Sequence, residues 1–431
     1  MSTFKTVRGM KDFLPEEARM MRLIEEKARG IAELYGYKEI LTPVVESHAL
    51  LAAKAGEEVR SRMFVFKDLG GRDVALRPEF TASVARLVAT SLRTEPKPLR
   101  LFSFGSIYRY DEPQKGRYRE FWQSNYELIG SGRPEADAEI LMLTCSLMEA
   151  AGLKNYVFKI GHVGVLRGIF SQEGLEEREQ NAAMQLMDKK EYDDALRMVK
   201  DAGASRECVN ILQKLVKLKG NKVFQIAEKM KELVKAYEKA VSAVENLSEI
   251  LRLIEKSGCK MDVVVDAGFA RGLEYYTGFI FEPYVSGIDI ALGGGGRYDR
   301  LIELFGGEPM PAVGVAHGID RMMLAMQTQK AKLEAGGKAV IVIPVKEELK
   351  SEALKISQML READVPAEVE VMGRRVTAAL EDADRRKMDY AIIIGEKELK
   401  ENAVAIRNLA KREQKVVRIE KIVETIKGQK V

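Results

Sequence analysis

Residues 108–123 read YRYDEPQKGRYREFWQ, in which two strand-like blocks flank a short segment that holds Pro113 and Gly116. Proline and glycine between two such blocks are typical of a turn, so the stretch predicts a β-hairpin. The cations of this stretch are Arg109, Lys115, Arg117 and Arg119. With their aromatic neighbours they suit the binding of a polyanion through guanidinium contacts and base stacking. A solvated, charged surface hairpin is the alternative that the stretch itself leaves open.

The segments around the hairpin predict a sheet with flanking helices. An amphipathic helix is expected from Pro15 to Tyr35. The run 40–45 is short, rich in β-forming residues and interrupted by Pro43, which predicts an edge or interface strand. Further strands are expected at residues 63–67, 74–77, 100–110, 119–130, 262–266, 276–281 and 289–292. Antiparallel pairing fits these blocks best.

The order of these patterns predicts several domains, because 431 residues exceed what one hydrophobic core usually supports. Residues 171–255 show long Lys/Glu-rich helical periodicity and predict a helical domain inserted into a catalytic domain of residues 1–326. Residues 327–338 have the polarity of a linker. The βαβαβ alternation that follows predicts a small, largely parallel α/β domain at residues 339–431. The expected fold class is therefore an α+β catalytic domain with an antiparallel sheet, an inserted helical domain and a C-terminal α/β domain.

Composition excludes several classes of protein. With 46% hydrophobic and 31% charged residues the chain is typical of soluble globular proteins, and it lacks an uncharged apolar run long enough to cross a bilayer. No secretory signal is recognisable at the N-terminus, so we expect a cytoplasmic protein without a membrane partner. The three cysteines and three histidines are too scattered to predict a metal bound by the protein. The net charge of +4 permits a nucleic-acid partner but does not require one.

No common nucleotide-binding loop is present in the sequence. Neither a GxxxxGK[ST] loop nor a GxGxxG loop occurs, and the densest glycine run is residues 293–299, GGGGRYD. Two interpretations of the four glycines stay open. They form a flexible turn, or they let the backbone approach a ligand closely.

The hairpin at residues 108–123 resembles motif 2 of class II aminoacyl-tRNA synthetases in its histidine-specific form. Five further blocks resemble the same family in the same order: RGMKDFLP at 8–15, LRPEFT at 76–81, RGLEYY at 271–276, GGGGRYD at 293–299, and GVAHGIDR, similar to motif 3, at 314–321. Residues Trp122 and Ser124–Tyr126 look more like archaeal members than bacterial ones. The resemblance covers nearly the whole chain and identifies it with the histidyl-tRNA synthetases.

The resemblance implies a reaction and its participants. Histidine is activated with ATP to histidyl-adenylate and then joined to the 3′ end of tRNA(His). ATP enters as a substrate, accompanied by Mg²⁺. The run 40–45 resembles motif 1, which implies a homodimer, and GRR at 373–375 with YAIIIG at 390–395 resembles an anticodon-binding domain. The C-terminal domain is expected to read the anticodon.

The resemblance also assigns roles to individual residues. The expected catalytic residues are Arg271 and Arg109. The expected histidine-binding residues are Pro78, Glu79, Phe80, Thr81, Gln123, Glu127, Arg271, Tyr275 and Tyr276. ATP is expected at Arg109, Glu112, Arg117 and Arg321, and the tRNA acceptor end at Gln114, Lys115, Gly116 and Arg117.

Structural alternatives exist for several of these residues. Arg271 could instead form an ion pair with Glu274 or Asp266. Glu79 could cap a helix that begins at Phe80. The tyrosines 275 and 276 could be ordinary strand aromatics.

Two other functions compete with the enzymatic one. A non-catalytic paralogue of the same fold regulates the first enzyme of histidine biosynthesis, but it usually lacks a C-terminal domain and the intact motifs. A nucleic-acid-binding protein without catalysis would account for the basic hairpin but not for the carboxylates and tyrosines. Histidine-dependent exchange of pyrophosphate into ATP separates all three.

Overall fold

In the computed structural model of the chain, described for residues 4–53, 57–112, 116–271, 274–331 and 338–428, the predicted hairpin is present. Its two strands are Leu99–Tyr108 and Glu120–Ile129, and they pair antiparallel from Leu99 opposite Ile129 to Tyr108 opposite Glu120. The chain divides into two compact units, Met1–Leu333 and Glu334–Val431. Among the described residues, none of the helices combines the length and apolarity needed to span a membrane.

The first unit is organised around a mixed sheet to which the hairpin contributes two adjacent strands. Its strands are β1 (Lys38–Glu39), β2 (Val45–Ser47), β3 (Val65–Lys67), β4 (Asp73–Leu76), β5 (Leu99–Tyr108), β6 (Glu120–Ile129), β7 (Tyr156–His162), β8 (Lys219–Gly220), β9 (Asp262–Asp266), β10 (Phe279–Val285), β11 (Gly293–Arg297) and β12 (Ala312–Gly318). The large sheet has the order β1-β5-β6-β12-β11-β10-β7-β9-β8, and β2-β4-β3 form a small separate sheet. Most neighbours pair antiparallel as predicted, but β1 with β5 and β7 with β9 are parallel.

Two of the predicted strands are wrong. Residues 289–292 are irregular, and the glycine run that follows them is itself the strand β11, between β10 and β12. A Cβ on Gly295 would lie 2.5 Å from the Gly314 carbonyl oxygen, so β11 approaches its neighbour too closely for a side chain. The flexible-turn interpretation of the glycines is therefore excluded. Residues 40–44 are also irregular, since β1 ends before them and Pro43 has no N–H to donate to a ladder.

The helices of the first unit share one hydrophobic core with the large sheet. They are α1 (Pro15–Leu34), α2 (His48–Ala52), α3 (Glu57–Arg60), α4 (Thr81–Ala89), α5 (Pro134–Ala150), α6 (Val163–Gln172), α7 (Glu177–Asp188), α8 (Tyr192–Asp201), α9 (Arg206–Leu215), α10 (Val223–Leu233), α11 (Glu238–Ser257), α12 (Leu301–Leu304) and α13 (Ile319–Gln329). Helix α1 matches the helix predicted from residue 15. Because α13 continues to Gln329, the predicted linker at 327–338 overlaps this helix at its first three residues.

Helices α6–α11, here called the helical segment, contain the residues that were predicted as helical. Helix α11 buries Ala240, Val244, Leu247 and Leu251, the three- and four-residue spacing of one helix face. The buried residues of the helical segment and of the large sheet form one continuous hydrophobic core. Strand β8 also joins the segment to the sheet, because it pairs antiparallel with β9. The helical segment is thus packed directly on the unit that carries the predicted motifs.

The second unit has a five-stranded sheet of its own. Its strands are β13 (Val340–Pro344), β14 (Ala367–Val369), β15 (Tyr390–Ile394), β16 (Ala403–Asn408) and β17 (Glu413–Arg418), and its helices are α14 (Lys350–Glu362), α15 (Val376–Arg385), α16 (Glu396–Lys400) and α17 (Ile422–Lys427). The predicted parallel part is β14-β13-β15, but β16 and β17 follow antiparallel and were not predicted. Hydrophobic clusters cover the two faces of this sheet, so the unit has its own core.

Candidate active site

One cavity in the first unit is lined by residues that the sequence placed in distant motifs. The predicted residues on its wall are Glu79, Thr81, Arg109, Gln123, Arg271, Tyr275, Tyr276 and Arg321. Strands β11 and β12 contribute backbone to the same wall through Gly293, Gly294 and residues 314–316. The glycines of β11 therefore bring main chain close to the cavity, as the second interpretation of this run expected.

Other predicted residues lie outside this wall. Glu127 is buried behind it, while Pro78 contributes its carbonyl, which accepts a hydrogen bond of 2.8 Å from the Nε of Arg109. Phe80 is buried under the Arg77 guanidinium, whose Cζ lies 4.3 Å from the ring centroid.

The predicted residues of the hairpin tip are also separate from the cavity wall. Glu112 is exposed and pairs with Arg8 at 3.0 Å. Arg117 is exposed, and Gly116 is buried against Ile290 and Leu324. Gln114 and Lys115 lie outside the described residues.

Glu79 and Gln123, here called the acceptor end of the cavity, are acceptors suited to an ammonium group. The carboxylate of Glu79 accepts a hydrogen bond of 3.0 Å from the Tyr275 hydroxyl, and burial raises the pKa of Glu79 above its ordinary value. Helix α4 begins at Thr81, so the interpretation of Glu79 as a cap on a helix from Phe80 is wrong. The buried Oε1 of Gln123 has no hydrogen-bond partner among the described residues. A buried acceptor on a cavity wall indicates a donor supplied by a ligand.

Glu127 is held in a buried network behind the cavity floor. Its Oε1 accepts hydrogen bonds from Thr81 Oγ1 at 2.8 Å and Asn125 Nδ2 at 3.1 Å, and its Oε2 accepts one from the Tyr298 hydroxyl. Burial raises the pKa of Glu127 to about 7 despite these bonds. The space for this carboxylate exists because residue 314 is glycine: a Cβ there would lie 2.6 Å from the Cδ of Glu127.

Tyr298 connects this network to the cavity, and the sequence did not assign it a role. It lines the cavity while donating to Glu127. The only signal was its place in the block GGGGRYD, and periodicity in that block does not separate a site tyrosine from a core one. Tyr275 lies between Tyr276 and Tyr298, with ring centroids 4.8 and 5.8 Å away, so the three phenols form one aromatic wall.

Arg271 lies beside the aromatic wall, with its Cζ 5.6 Å from the Tyr276 ring centroid, and pairs with Glu282, which the sequence did not single out. Its Nη1 is 2.8 Å from Glu282 Oε1, and each side chain is 18% exposed. Both proposed structural partners are wrong: Asp266 pairs with Lys159 at 3.2 Å, and Glu274 has Arg60 at 3.9 Å.

The surroundings of Arg271 keep its charge in place. Burial lowers the pKa of Arg271, but Tyr276 and Glu282 outweigh this effect, so the pKa lies above its ordinary value. Its buried Nε has no hydrogen-bond partner among the described residues. Arg271 therefore keeps donor capacity for a ligand.

Two more arginines, Arg109 and Arg321, place cationic groups on the cavity wall. Arg109 is anchored on the Pro78 carbonyl, with its Cζ 5.5 Å from the Phe121 ring centroid. Arg321 donates to the Ala291 carbonyl at 2.9 Å. Burial, together with Arg109 and Arg117, lowers the pKa of Arg321 to about 10, so Arg321 is still charged at neutral pH. Cations converging in a partly dry cleft attract and stabilise an anionic substrate.

Comparison with known families agrees with this geometry. Residues 9–322 match the family described as histidyl-tRNA synthetase, and residues 339–429 match the anticodon binding domain family. The chain belongs to the histidyl-tRNA synthetase family. Among relatives, a histidine–tRNA ligase of Methanocaldococcus jannaschii is 42% identical over 421 residues, covering 97% of this chain and 98% of the relative. A histidine–tRNA ligase of Pyrococcus furiosus is 38% identical over 431 residues, covering 98% of each chain.

Solved structures share the histidyl-tRNA synthetase fold. The histidyl-tRNA synthetase of Nostoc sp. PCC 7120 superimposes with a TM-score of 0.83 at 24% identity, covering 99% of each chain, and this likeness concerns the fold alone. A Bacillus halodurans protein described as an ATP phosphoribosyltransferase regulatory subunit/histidyl-tRNA synthetase has a TM-score of 0.76 at 28% identity. The superposition covers 89% of this chain and 97% of the Bacillus halodurans chain.

Proposed function

We propose that this chain activates L-histidine with ATP and transfers the histidyl group to tRNA(His) in the cytoplasm. The observation that carries the proposal is the convergence on one cavity of an acceptor end, Glu79 and Gln123, and a cationic end, Arg109, Arg271 and Arg321. A zwitterionic amino acid and a nucleoside triphosphate together require both ends. Membership of the histidyl-tRNA synthetase family supports the same reaction.

Histidine would lie between the acceptor end and the aromatic wall. Glu79 and the unpartnered Oε1 of Gln123 would accept hydrogen bonds from the substrate ammonium. A neutral imidazole has one donor and one acceptor nitrogen, and the hydroxyls of Tyr276 and Tyr298 can take either role. Tyr298 already donates to Glu127, so its oxygen is free to accept from an imidazole N–H. In this arrangement Glu127 supports ring recognition through Tyr298.

Activation would place the histidine carboxylate beside the α-phosphate of ATP. A carboxylate oxygen attacks the α-phosphorus, the bond to the bridging oxygen breaks, and pyrophosphate leaves with both electrons of that bond. Negative charge on the phosphoryl oxygens would be stabilised by Arg109 and Arg271, with Arg321 on the adenine and γ-phosphate side. Mg²⁺ would enter as part of the ATP substrate. No described residue is assigned to hold it.

Transfer would follow when the 3′-hydroxyl of the terminal adenosine attacks the carbonyl carbon of the adenylate. The ester bond to tRNA forms, and the bond between the carbonyl carbon and the phosphate oxygen breaks. AMP leaves with both electrons of that bond, and the hydroxyl proton passes to the phosphate of the leaving AMP. The basic hairpin tip, which includes Gly116 and the exposed Arg117, would contact the acceptor end. The second unit would bind the anticodon, a role supported by its match to that domain family.

We also propose a homodimer through the surface around the motif 1 run. Leu41 is 83% exposed, and Val44 and Val45 are 37% and 43% exposed. Phe66, on β3 in the same small sheet as β2, is 44% exposed. Exposed apolar side chains concentrated on one part of a surface are typical of a protein interface. A monomer in sedimentation at micromolar concentration would contradict this proposal.

The proposed reaction is tested by histidine-dependent exchange of labelled pyrophosphate into ATP by the purified chain. Exchange should require histidine and should not require tRNA. A regulatory paralogue would show no exchange. The Bacillus halodurans structure carries the name of such a regulatory subunit beside that of the synthetase. A nucleic-acid-binding protein would retain tRNA in the absence of exchange. Either result would overturn the enzymatic proposal.

A further inference from the structure

The helical segment reaches the active-site cavity through a single carboxylate. Asp188, the last residue of α7, lines the cavity together with Arg271 and Glu282. No motif marked this position, because the helical segment contains only Lys/Glu-rich helical periodicity. The segment therefore contributes to the wall of the site as well as to the core beneath it.

Helix α7 is fixed to the loop that carries the site tyrosines. Arg167 on α6 donates from Nη2 to Asn181 on α7 at 3.1 Å and to the Glu274 carbonyl at 3.3 Å. Gln185 on α7 donates to the Glu274 carboxylate at 3.5 Å. Glu274 directly precedes Tyr275 in the chain. These contacts set the position of α7, and hence of Asp188, relative to the cavity.

Arg271 is a cation on the cavity wall that Asp188 also lines. Its direct partner is Glu282 at 2.8 Å, and Asp188 adds a second negative charge whose field acts on both Arg271 and Tyr284. The other charged or ionisable side chains that line the cavity are Glu79, Arg109, Tyr275, Tyr276, Tyr298 and Arg321. Asp188 is exposed, whereas Arg271 is mostly buried, so the carboxylate can orient the guanidinium without the desolvation cost of a second buried anion.

We propose that Asp188 is a positioning residue for Arg271, so that the helical segment sets the geometry of the activation step. Glu282 holds one edge of the guanidinium, and Asp188 restrains its swing toward the cavity mouth. This inference rests on the proposed function, since it takes Arg271 as the residue that contacts the reacting phosphate. The experiment must therefore distinguish a failure of the Asp188 positioning role from a failure of the proposed function.

The test compares Asp188→Asn with Asp193→Asn in the full-length chain. Asp193 is an exposed aspartate on α8 in the same helical segment, so its substitution removes the same charge without touching the cavity. We expect Asp188→Asn to lower the kcat of pyrophosphate exchange about tenfold, which corresponds to an interaction energy near the middle of the range for neighbouring residues. Asp193→Asn should leave this kcat unchanged. The ratio of the wild-type rate to the Asp188→Asn rate should decrease at high salt, because salt screens an exposed charge. Asp188→Glu should restore part of the rate.

The same substitution is then repeated in an Arg271→Ala background. If Asp188 acts through Arg271, Asp188→Asn should change the remaining exchange by less than about twofold there. A full tenfold loss in that background would overturn the inference, because Asp188 would then act independently of Arg271. An Asp188→Asn enzyme as active as Asp193→Asn, with Arg271→Ala strongly impaired, would also overturn it and leave the proposed function intact. Normal exchange by Arg271→Ala would refute the proposed role of Arg271 itself.

Discussion

Gly294→Ala should impair catalysis without unfolding the protein. A Cβ built on Gly294 would lie 2.5 Å from the Arg271 Cζ and 2.6 Å from its Nη2. Ordinary contacts between such atoms are about 3.5–4.0 Å, so the guanidinium must move by roughly 1 Å or more. The backbone of β11 has little freedom to move instead, because β10 and β12 pair with it on both sides. The substitution therefore displaces Arg271 and leaves the sheet in place.

The size of the effect follows from that displacement. Misplacing a group that contacts the transition state by about 1 Å costs on the order of 100-fold in rate. Alanine is compatible with the backbone of Gly294, whose φ is not in the left-handed region, so stability should change little. We expect the kcat of histidine-dependent pyrophosphate exchange to fall about 100-fold, with the thermal midpoint close to that of wild type.

Gly30→Ala is the matched control. Gly30 lies in α1, and a Cβ there would meet no atom within 4 Å. This variant should exchange pyrophosphate at the wild-type rate. Wild-type exchange by a folded Gly294→Ala protein would refute the claim that the position of Arg271 limits activation.

The remaining predictions concern the reacting arginine, the buried glutamate and the second unit. Arg271→Ala should reduce exchange by about 10²- to 10³-fold, as loss of an oxyanion donor does, with a smaller effect on the KM for histidine. Exchange near the wild-type rate by the folded variant would instead indicate that Arg271 has a structural role. Glu127→Ala should remove most of an expected selectivity of about 10⁴-fold for histidine over phenylalanine, and unchanged selectivity would contradict the network. Burial raises the pKa of Glu127 in the folded chain to about 7, above the ordinary pKa of a glutamate. Ionisation of Glu127 therefore lowers the folding stability progressively as pH rises from that ordinary pKa through 7. The thermal midpoint of Glu127→Gln relative to wild type should therefore rise between about pH 5 and about pH 8, and a constant or falling difference would contradict the shift. Truncation after Ala331 should preserve adenylate formation and abolish efficient charging, because the second unit has its own core; equal aminoacylation at limiting tRNA would exclude anticodon binding as that unit's main role. The cut after Ala331 keeps Gln329, which bonds both the N–H and the carbonyl of Lys154.

The sequence predicted the local elements well because turn residues and periodicity act locally. The hairpin, helix α1, strand β9 and the helical character of α7–α11 could all be read from spacing. The strand β17 was missed because five of its six residues are exposed, and the pattern EQKVVR shows no buried face. Neither open interpretation of the glycine run predicted a strand, for a different reason. Its strand conformation depends on two neighbours, β10 and β12, that the local pattern does not show.

The sequence predicted site residues only within the motifs that resemble the family. Eight predicted residues line one cavity, but Tyr298, Glu282 and Asp188 were not assigned roles. Tyr298 bonds to Glu127 in a distant segment and Glu282 pairs with Arg271 outside any motif, and no spacing rule links such pairs. Glu127 itself was expected among the histidine-binding residues, whereas its hydrogen bonds lie behind the cavity wall. Tertiary packing decides which carboxylate faces a ligand and which supports the residue that does.

The most direct test of the central claim is pyrophosphate exchange measured with histidine, with phenylalanine and without amino acid, on the unaltered chain. The account predicts exchange with histidine alone, because only histidine satisfies both the acceptor end at Glu79 and Gln123 and the phenols of the aromatic wall. Absence of exchange with histidine, or comparable exchange with phenylalanine, would contradict the account.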